Sequence, residues 1–269
     1  MKVVLFCGGQ GLRMGEISQP GSVLSVPKPM ATIGPRPVLW HVMRYYAHFG
    51  HKDFVLCLGY RGDVIKEYFR HYDETVSNDF VLSDGGQSIE LLNTDIQDWR
   101  IALIDTGPEA NVGQRLLAVK DHVADQPMFL ANYADGLTDA PLDQLIGDFS
   151  RRDKVAAFIA VRPPQTFHVL SVGDDGSVNG LTHVRSADIW MNGGYFIFRN
   201  TIFDYIQPGE ELVEEPFRRL IDSGQLITYR HDGFWRAMDT LKEMNELRTM
   251  YESGRSPWTL WQHRPEGGA

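Results

Sequence analysis

From Lys2 to Cys7 the chain is apolar without alternation, and it then meets Gly8-Gly9-Gln10-Gly11. A continuous apolar run suits a strand covered on both faces, and the glycines let the backbone leave it through a tight loop. The stretch Gln19 to Pro29 is rich in Pro, Ser and Gly and reads as a loop. Val38, Leu39, Val42, Tyr45 and Tyr46 recur at helical spacing and predict a helix that ends at Gly50. Asp53 to Leu58 repeats the buried-strand pattern, and Val64 to Tyr72 the helical one. Strand, loop, helix, strand, helix in that order predicts parallel strands joined by helical crossovers.

Further along, Ile89 to Asp105 alternates enough for additional strands and Asn111 to Val123 reads as a helix. Pro127 to Tyr133 is a third central strand that runs directly into Ala134-Asp135-Gly136. Leu142 to Arg151 reads as a helix and Val155 to Val161 as a strand. Val169 to Val172, Val178 to Val184 and Tyr195 to Arg199 are short strands, and Glu214 to Ser223 and Leu241 to Gly254 are helices. The expected fold class is α/β: a Rossmann-like mixed, mostly parallel sheet flanked by helices, with a smaller β-rich region in the second half. No repeat or linker divides the chain, so one domain over 1–269 is expected. Within it a first half, to about 140, and a second half, with the last helices, can be distinguished. Gln262 to Ala269 reads as a frayed tail.

Composition narrows the function. The 269 residues are 43% hydrophobic and carry a formal net charge of −9. So acidic a chain lacks the basic face that nucleic-acid binding needs, although local cations can still hold an anionic small molecule. No apolar run is long enough for a membrane span and no signal-peptide pattern opens the chain, so a cytoplasmic setting is expected. Cys7 and Cys57 lie in apolar strands and read as small buried hydrophobes.

Chemistry concentrates at a few points. A glycine-rich turn directly after a strand offers backbone N–H groups to an anion, and Arg13 adds a cationic fork. The turn lacks the third glycine of the dinucleotide fingerprint and the Gly-Lys-Ser/Thr of a P-loop. Lys28 stands between Pro27 and Pro29 on a stiffened backbone. With Arg13 it makes a two-cation phosphate site. Asp135 follows a central strand, the place where parallel sheets gather ligands, and is a candidate metal ligand. Asp239 precedes the last helix, and on local grounds it reads as an N-cap. The histidines show no metal-binding pairing and are taken as structural or exposed.

These residues resemble the sugar-1-phosphate nucleotidylyltransferase family, most closely its glucose-1-phosphate cytidylyltransferase branch. The likeness lies in Gly8 to Arg13, Pro27-Lys28-Pro29, Tyr60 to Phe69, Asp105-Thr106-Gly107 and Gly113 to Leu116. It continues through Ala134-Asp135-Gly136, Asn192 to Phe196, Glu215 to Arg218, Phe234 to Leu241 and Ser253 to Trp258. The resemblance implies direct attack of an acceptor phosphate on a nucleoside triphosphate, CTP in this branch, with release of pyrophosphate; UTP and dTTP stay open. It implies that Gly8, Gly9 and Gly11 line the nucleotide site, that Arg13 grips the triphosphate and Lys28 the α-phosphate region, and that Arg115 approaches the nucleotide. It implies Mg²⁺ on Asp135 and Asp239, against the local capping reading of Asp239, and a homo-oligomer.

The chain departs from the family pattern on the acceptor side. The family's Glu-Lys-Pro is replaced by Thr182-His183-Val184-Arg185, which puts Val184 where a phosphate-holding lysine is expected. Its Phe-Gly pair is Phe167-His168, its loop threonine is Leu12, and the segment from Arg13 to Lys28 is longer. Arg185, His183 and His168 are therefore expected to contact a different phosphorylated acceptor: another sugar phosphate, a cyclitol phosphate or a non-sugar alcohol phosphate. Asn192, Gly193 and Arg218 fall on the same side. Two contrasting expectations remain: an ordinary glucose 1-phosphate enzyme whose phosphate is held by Arg218 or Arg219, and a regulatory nucleotide-binding subunit without turnover.

Overall fold

The computed structural model describes residues 1–9 and 26–262. Along the chain come β1 (Lys2–Phe6), β2 (Thr32–Ile33), β3 (Arg36–Pro37), α1 (Val38–His48), β4 (Asp53–Leu58) and α2 (Gly62–Arg70). The hairpin strands β5 (Phe80–Ser83) and β6 (Ser88–Leu91) lead to β7 (Arg100–Asp105), α3 (Val112–Ala118), α4 (Lys120–Val123), β8 (Met128–Asn132) and β9 (Gly136–Thr138). The second half supplies α5 (Leu142–Ser150), β10 (Ala156–Val161), β11 (His168–Val172), β12 (Val178–His183) and β13 (Met191–Arg199). It closes with α6 (Glu215–Asp222), β14 (Leu226–His231), β15 (Trp235–Ala237) and α7 (Leu241–Glu252).

Seven strands form one sheet in the order β14-β10-β13-β8-β1-β4-β7. β13 runs antiparallel to β8 and β10, while the β1–β4, β1–β8, β4–β7 and β10–β14 pairs are parallel. Both faces are covered. Val3 and Leu5 of β1 enter a core shared with Leu39, Met43 and Tyr46 of α1, while Val4 and Phe6 enter a second core with Leu116 and Val119 near α3. Each such fully buried side chain contributes about 1.5–3 kcal/mol, which accounts for the unbroken apolar run in β1. Cys7 and Cys57 are buried and free. Among the described residues no helix is long and apolar enough to cross a membrane.

Several elements differ from the sequence expectation. The single helix expected over Asn111 to Val123 breaks at Val119 (φ −106°, ψ 11°) into α3 and α4. The second helix begins at Gly62, after Arg61 in a left-handed conformation (φ 52°). The last short strand extends back to Met191 and sits inside the main sheet, not in a separate β-rich region. β11 and β12 do form a separate two-stranded ribbon. The strands β2, β3, β5, β9, β14 and β15 were not expected.

Candidate active site

The carboxyl ends of the parallel strands carry the chemistry. After β8 the chain reverses through Ala134, a buried non-glycine residue at φ 64°. That strained conformation is held by Asn132, whose Oδ1 accepts a hydrogen bond from the Ala134 N–H at 2.7 Å. Asp135 follows at once. β9 then pairs with β15, Gly136 opposite Ala237, and the Met238 N–H donates to the Asp135 carbonyl at 3.0 Å. The pairing brings Asp239 beside Asp135 from 104 residues away along the chain (239 − 135).

Lys28 arrives from a third segment. It opens a one-turn 3₁₀ helix, Lys28–Met30, whose Pro29 and Met30 are buried and so anchor the backbone. Its ammonium lies 2.5 Å from Asp135 Oδ2 and 2.5 Å from Asp239 Oδ1. Burial pushes the Asp135 carboxyl above its ordinary pKa; Lys28 opposes this and Asp239 adds to it. Burial alone would lower the Lys28 pKa, but its two carboxylate partners outweigh it and raise the value.

Asp239 is not the helix cap that its local sequence suggests. Thr240 caps α7, its hydroxyl accepting from the Glu243 N–H while the Glu243 carboxylate accepts from the Thr240 N–H. The Asp239 N–H also donates to Glu243 Oε2 at 2.8 Å, which leaves the Asp239 carboxylate free to face Lys28. Two carboxylates around one cation fit Mg²⁺, which takes hard oxygen ligands and completes its shell with water and substrate phosphate. Among the described residues no group of three or more His, Cys, Asp or Glu side chains is gathered around a metal position.

Arg115, expected to approach the nucleotide, is held among the strand ends. It is buried, and its guanidinium donates to the carbonyls of Leu58, Gly107 and Gly8 and to the Thr106 hydroxyl, at 2.7–3.0 Å. It thereby ties together the loops that leave β1, β4 and β7. Gly8 is required for this: a Cβ there would lie 2.1 Å from the Arg115 Cζ. Gly9 is exposed beyond the clamp. Gly11 and Arg13 lie outside the described residues.

The structure distributes the expected acceptor residues. His168 and His183 face each other across the β11–β12 ribbon with rings 5.3 Å apart. Val184 is fully buried, and its N–H donates to the Phe167 carbonyl. Arg185 lines a cavity of about 210 Å³ with Arg162, Asp232, Trp235 and Arg236. Gly193 borders it indirectly: its carbonyl accepts from the Trp235 indole N–H at 2.8 Å, and a side chain at Gly193 would collide with Ile159. Asn192 lies where β13 loses register with β10, with its Oδ1 accepting from the Gly194 N–H at 2.8 Å. Arg218 is exposed on α6 and does not line this cavity, and Arg219 is committed to Glu210 and the Tyr205 carbonyl. Arg162 and Arg236 escaped the sequence reading. The signal available was an arginine inside the Phe234 to Leu241 stretch, directly beside Trp235.

No protein-family model matches the chain. A solved structure, HddC from Yersinia pseudotuberculosis, superposes with a TM-score of 0.59 at 16% identity, covering 93% of this chain and 99% of that one. Sheet order and superposition together give the nucleotide-diphospho-sugar transferase fold. In sequence, the chain is 36% identical over 263 residues to a Bacillus subtilis protein named probable glucose-1-phosphate cytidylyltransferase, covering 97% of this chain and all of that one. It is 35% identical over 264 residues to the glucose-1-phosphate cytidylyltransferase of Salmonella typhi, at the same 97% coverage and again the whole relative. The chain belongs to the sugar-1-phosphate nucleotidylyltransferase family, in its glucose-1-phosphate cytidylyltransferase branch.

Proposed function

We propose that the protein transfers CMP from CTP to a small phosphorylated acceptor in the cytoplasm, releasing pyrophosphate. The observation that carries this reading is the convergence of Lys28, Asp135 and Asp239 at the carboxyl end of a mostly parallel sheet. An acceptor phosphate oxygen attacks the α-phosphorus in line; the new P–O bond forms as the bond to the β-phosphate breaks, and its electron pair leaves with pyrophosphate. No covalent enzyme intermediate is needed, and no proton must be removed from an ionised phosphate. Asp135 and Asp239 would hold Mg²⁺, which when bound supplies charge neutralisation at the transferred group. Lys28, kept cationic by its two carboxylate partners, faces the charge that develops on the α-phosphate oxygens. Arg13 and the Gly8–Gly11 loop serve the triphosphate, and Arg115 holds Gly8 at the start of that loop. Arg185, at the wall of the cavity beside β15, serves the acceptor. The exposed Phe80, Val81, Leu82 and Ile89 of the β5–β6 hairpin favour a homo-oligomer.

The test is pyrophosphate release with Mg²⁺ across CTP, UTP, dTTP, ATP and GTP against a panel of phosphorylated acceptors, for the wild type and Asp135→Ala. CTP-dependent release that falls at least a thousandfold in the variant, with an unchanged circular dichroism spectrum, is expected. Unaltered turnover in Asp135→Ala would overturn the metal assignment; nucleotide binding without turnover in the wild type would overturn transfer itself.

A further inference from the structure

The cavity beside β15 is more cationic than its surroundings. Arg162, Arg185 and Arg236 all line it, in a chain whose net charge is −9. Arg162 is already compensated: its Nε donates to the Asp232 carboxylate at 3.3 Å, Asp188 lies 3.9 Å from its Nη1, and its guanidinium stacks 4.1 Å from the Trp190 ring. His231, also at the wall, is engaged by Asp139 at 2.8 Å. Among the described residues neither Arg185 nor Arg236 has a carboxylate within ion-pair distance. Among the described residues Arg236 donates only to the carbonyl of Trp235, at 3.0 Å. Two uncompensated guanidinium groups at the wall of a small cavity make an anion site.

Its position decides which anion. The attacking phosphate must reach the α-phosphorus at the Lys28–Asp135–Asp239 centre. Arg236 precedes Asp239 by three residues along β15 and its extension, which places it on the order of 10 Å away at about 3.3 Å per residue. The Trp235 indole, fixed by the Gly193 carbonyl, lines the cavity and packs close to Gly136, which directly follows Asp135. The cavity thus meets the end of an acceptor remote from its reacting phosphate.

We propose that Arg185 and Arg236 select an acceptor carrying a second anionic group, a carboxylate or a further phosphate, at the end opposite the attacking phosphate. The inference rests on the nucleotidyl-transfer reading and goes beyond it by naming the acceptor class.

Pyrophosphate release with CTP and Mg²⁺ is measured for glucose 1-phosphate, glucuronic acid 1-phosphate and glucose 1,6-bisphosphate, with calorimetric binding of each acceptor beside it. The wild type is compared with Arg236→Gln and, should that variant fail to fold, with Arg185→Gln on its exposed turn. A charge-assisted contact of this kind supports a preference on the order of tenfold to a hundredfold in kcat/KM for the doubly anionic acceptors. Arg236→Gln is expected to shrink that preference to less than about threefold while leaving the KM for CTP within about twofold. The better of the two doubly anionic acceptors identifies the second group as carboxylate or phosphate. Equal or better use of glucose 1-phosphate, or an equal loss for all three acceptors in Arg236→Gln, overturns the proposal while transfer stands. If no acceptor turns over, arginine-dependent selective binding supports the anion pocket and removes the transfer reading, and unselective binding removes the pocket.

Discussion

His41 shows how one buried side chain sets a pH limit on this fold. Its Nε2 lies 2.9 Å from the Ile33 carbonyl and its Nδ1 3.4 Å from the Trp258 indole nitrogen, so the neutral tautomer with Nε2–H satisfies both. Protonation would set a second N–H against the indole donor. Burial accordingly lowers its pKa to about 4, with the Ile33 contact opposing, and burial does the same for His51. The unfolded chain takes up these protons near pH 6.5, before the folded chain does. Stability is therefore fully present well above pH 6.5 and is lost as pH falls toward 4, by about 2 kcal/mol at pH 5 for the fully buried His41 and by less for the partly exposed His51. Urea midpoints measured from pH 7.5 to 5 should fall in the wild type and fall less steeply in His41→Gln; parallel slopes would exclude His41 as a source. The sequence set His41 among structural or exposed histidines, since burial and tautomer depend on Trp258, 217 residues away. Lys28, Asp135 and Asp239 stood out in the sequence because each interrupts or ends a patterned segment. Local pattern alone favoured Asp239 as a cap, a task that Thr240, one residue on, performs; only the family resemblance set Asp239 beside Asp135.

At the scale of elements, the carboxylate centre depends on the start of α7. Glu243 accepts from the N–H groups of both Asp239 and Thr240, while Thr240 accepts from the Glu243 N–H. Capping and placement of the Asp239 carboxylate are thus one hydrogen-bonded unit. Replacing an N-cap threonine by alanine costs about 1 kcal/mol. Thr240→Ala should lower the melting temperature by about 2 °C and reduce kcat severalfold, with a smaller change in the KM for CTP. A loss of stability with unchanged kcat would show that the cap does not position Asp239. Glu243→Gln, which keeps an acceptor oxygen, should retain more activity than Thr240→Ala. Long elements with a clear period were legible: α1, β1, β4 and β8 fall within a residue or two of the pattern. β2, β3, β9 and β15, with two or three residues each, were not. Runs so short carry no periodicity, and they exist because a partner distant in sequence supplies their hydrogen bonds. α3 and α4 share one apolar face, so pattern could not reveal the break at Val119.

Across the molecule, the two halves are woven into one sheet. β13 from the second half lies between β8 of the first and β10 of the second, with Tyr195 opposite Asn132 and Phe158 opposite Phe196. The parallel α/β layout followed from the order of strands and helices, whereas the insertion of β13 did not, because its partners are set by topology rather than by local period. The site spans the same seam: Asp135 comes from the first half and Asp239 from the second, and Lys28 touches both. A nucleotide bound there stabilises a structure to which both halves contribute, so it should move one transition rather than part of one. Ligand at about a hundred times its Kd adds about 2.7 kcal/mol, which for a chain of this size raises the melting temperature by roughly 5 °C. Scanning calorimetry with CTP and Mg²⁺ should show one peak displaced as a whole, and Asp239→Asn should shrink the displacement while leaving a single peak. Two peaks of which CTP moves only one would mean that the halves unfold separately, and that the shared sheet does not couple the site to the whole.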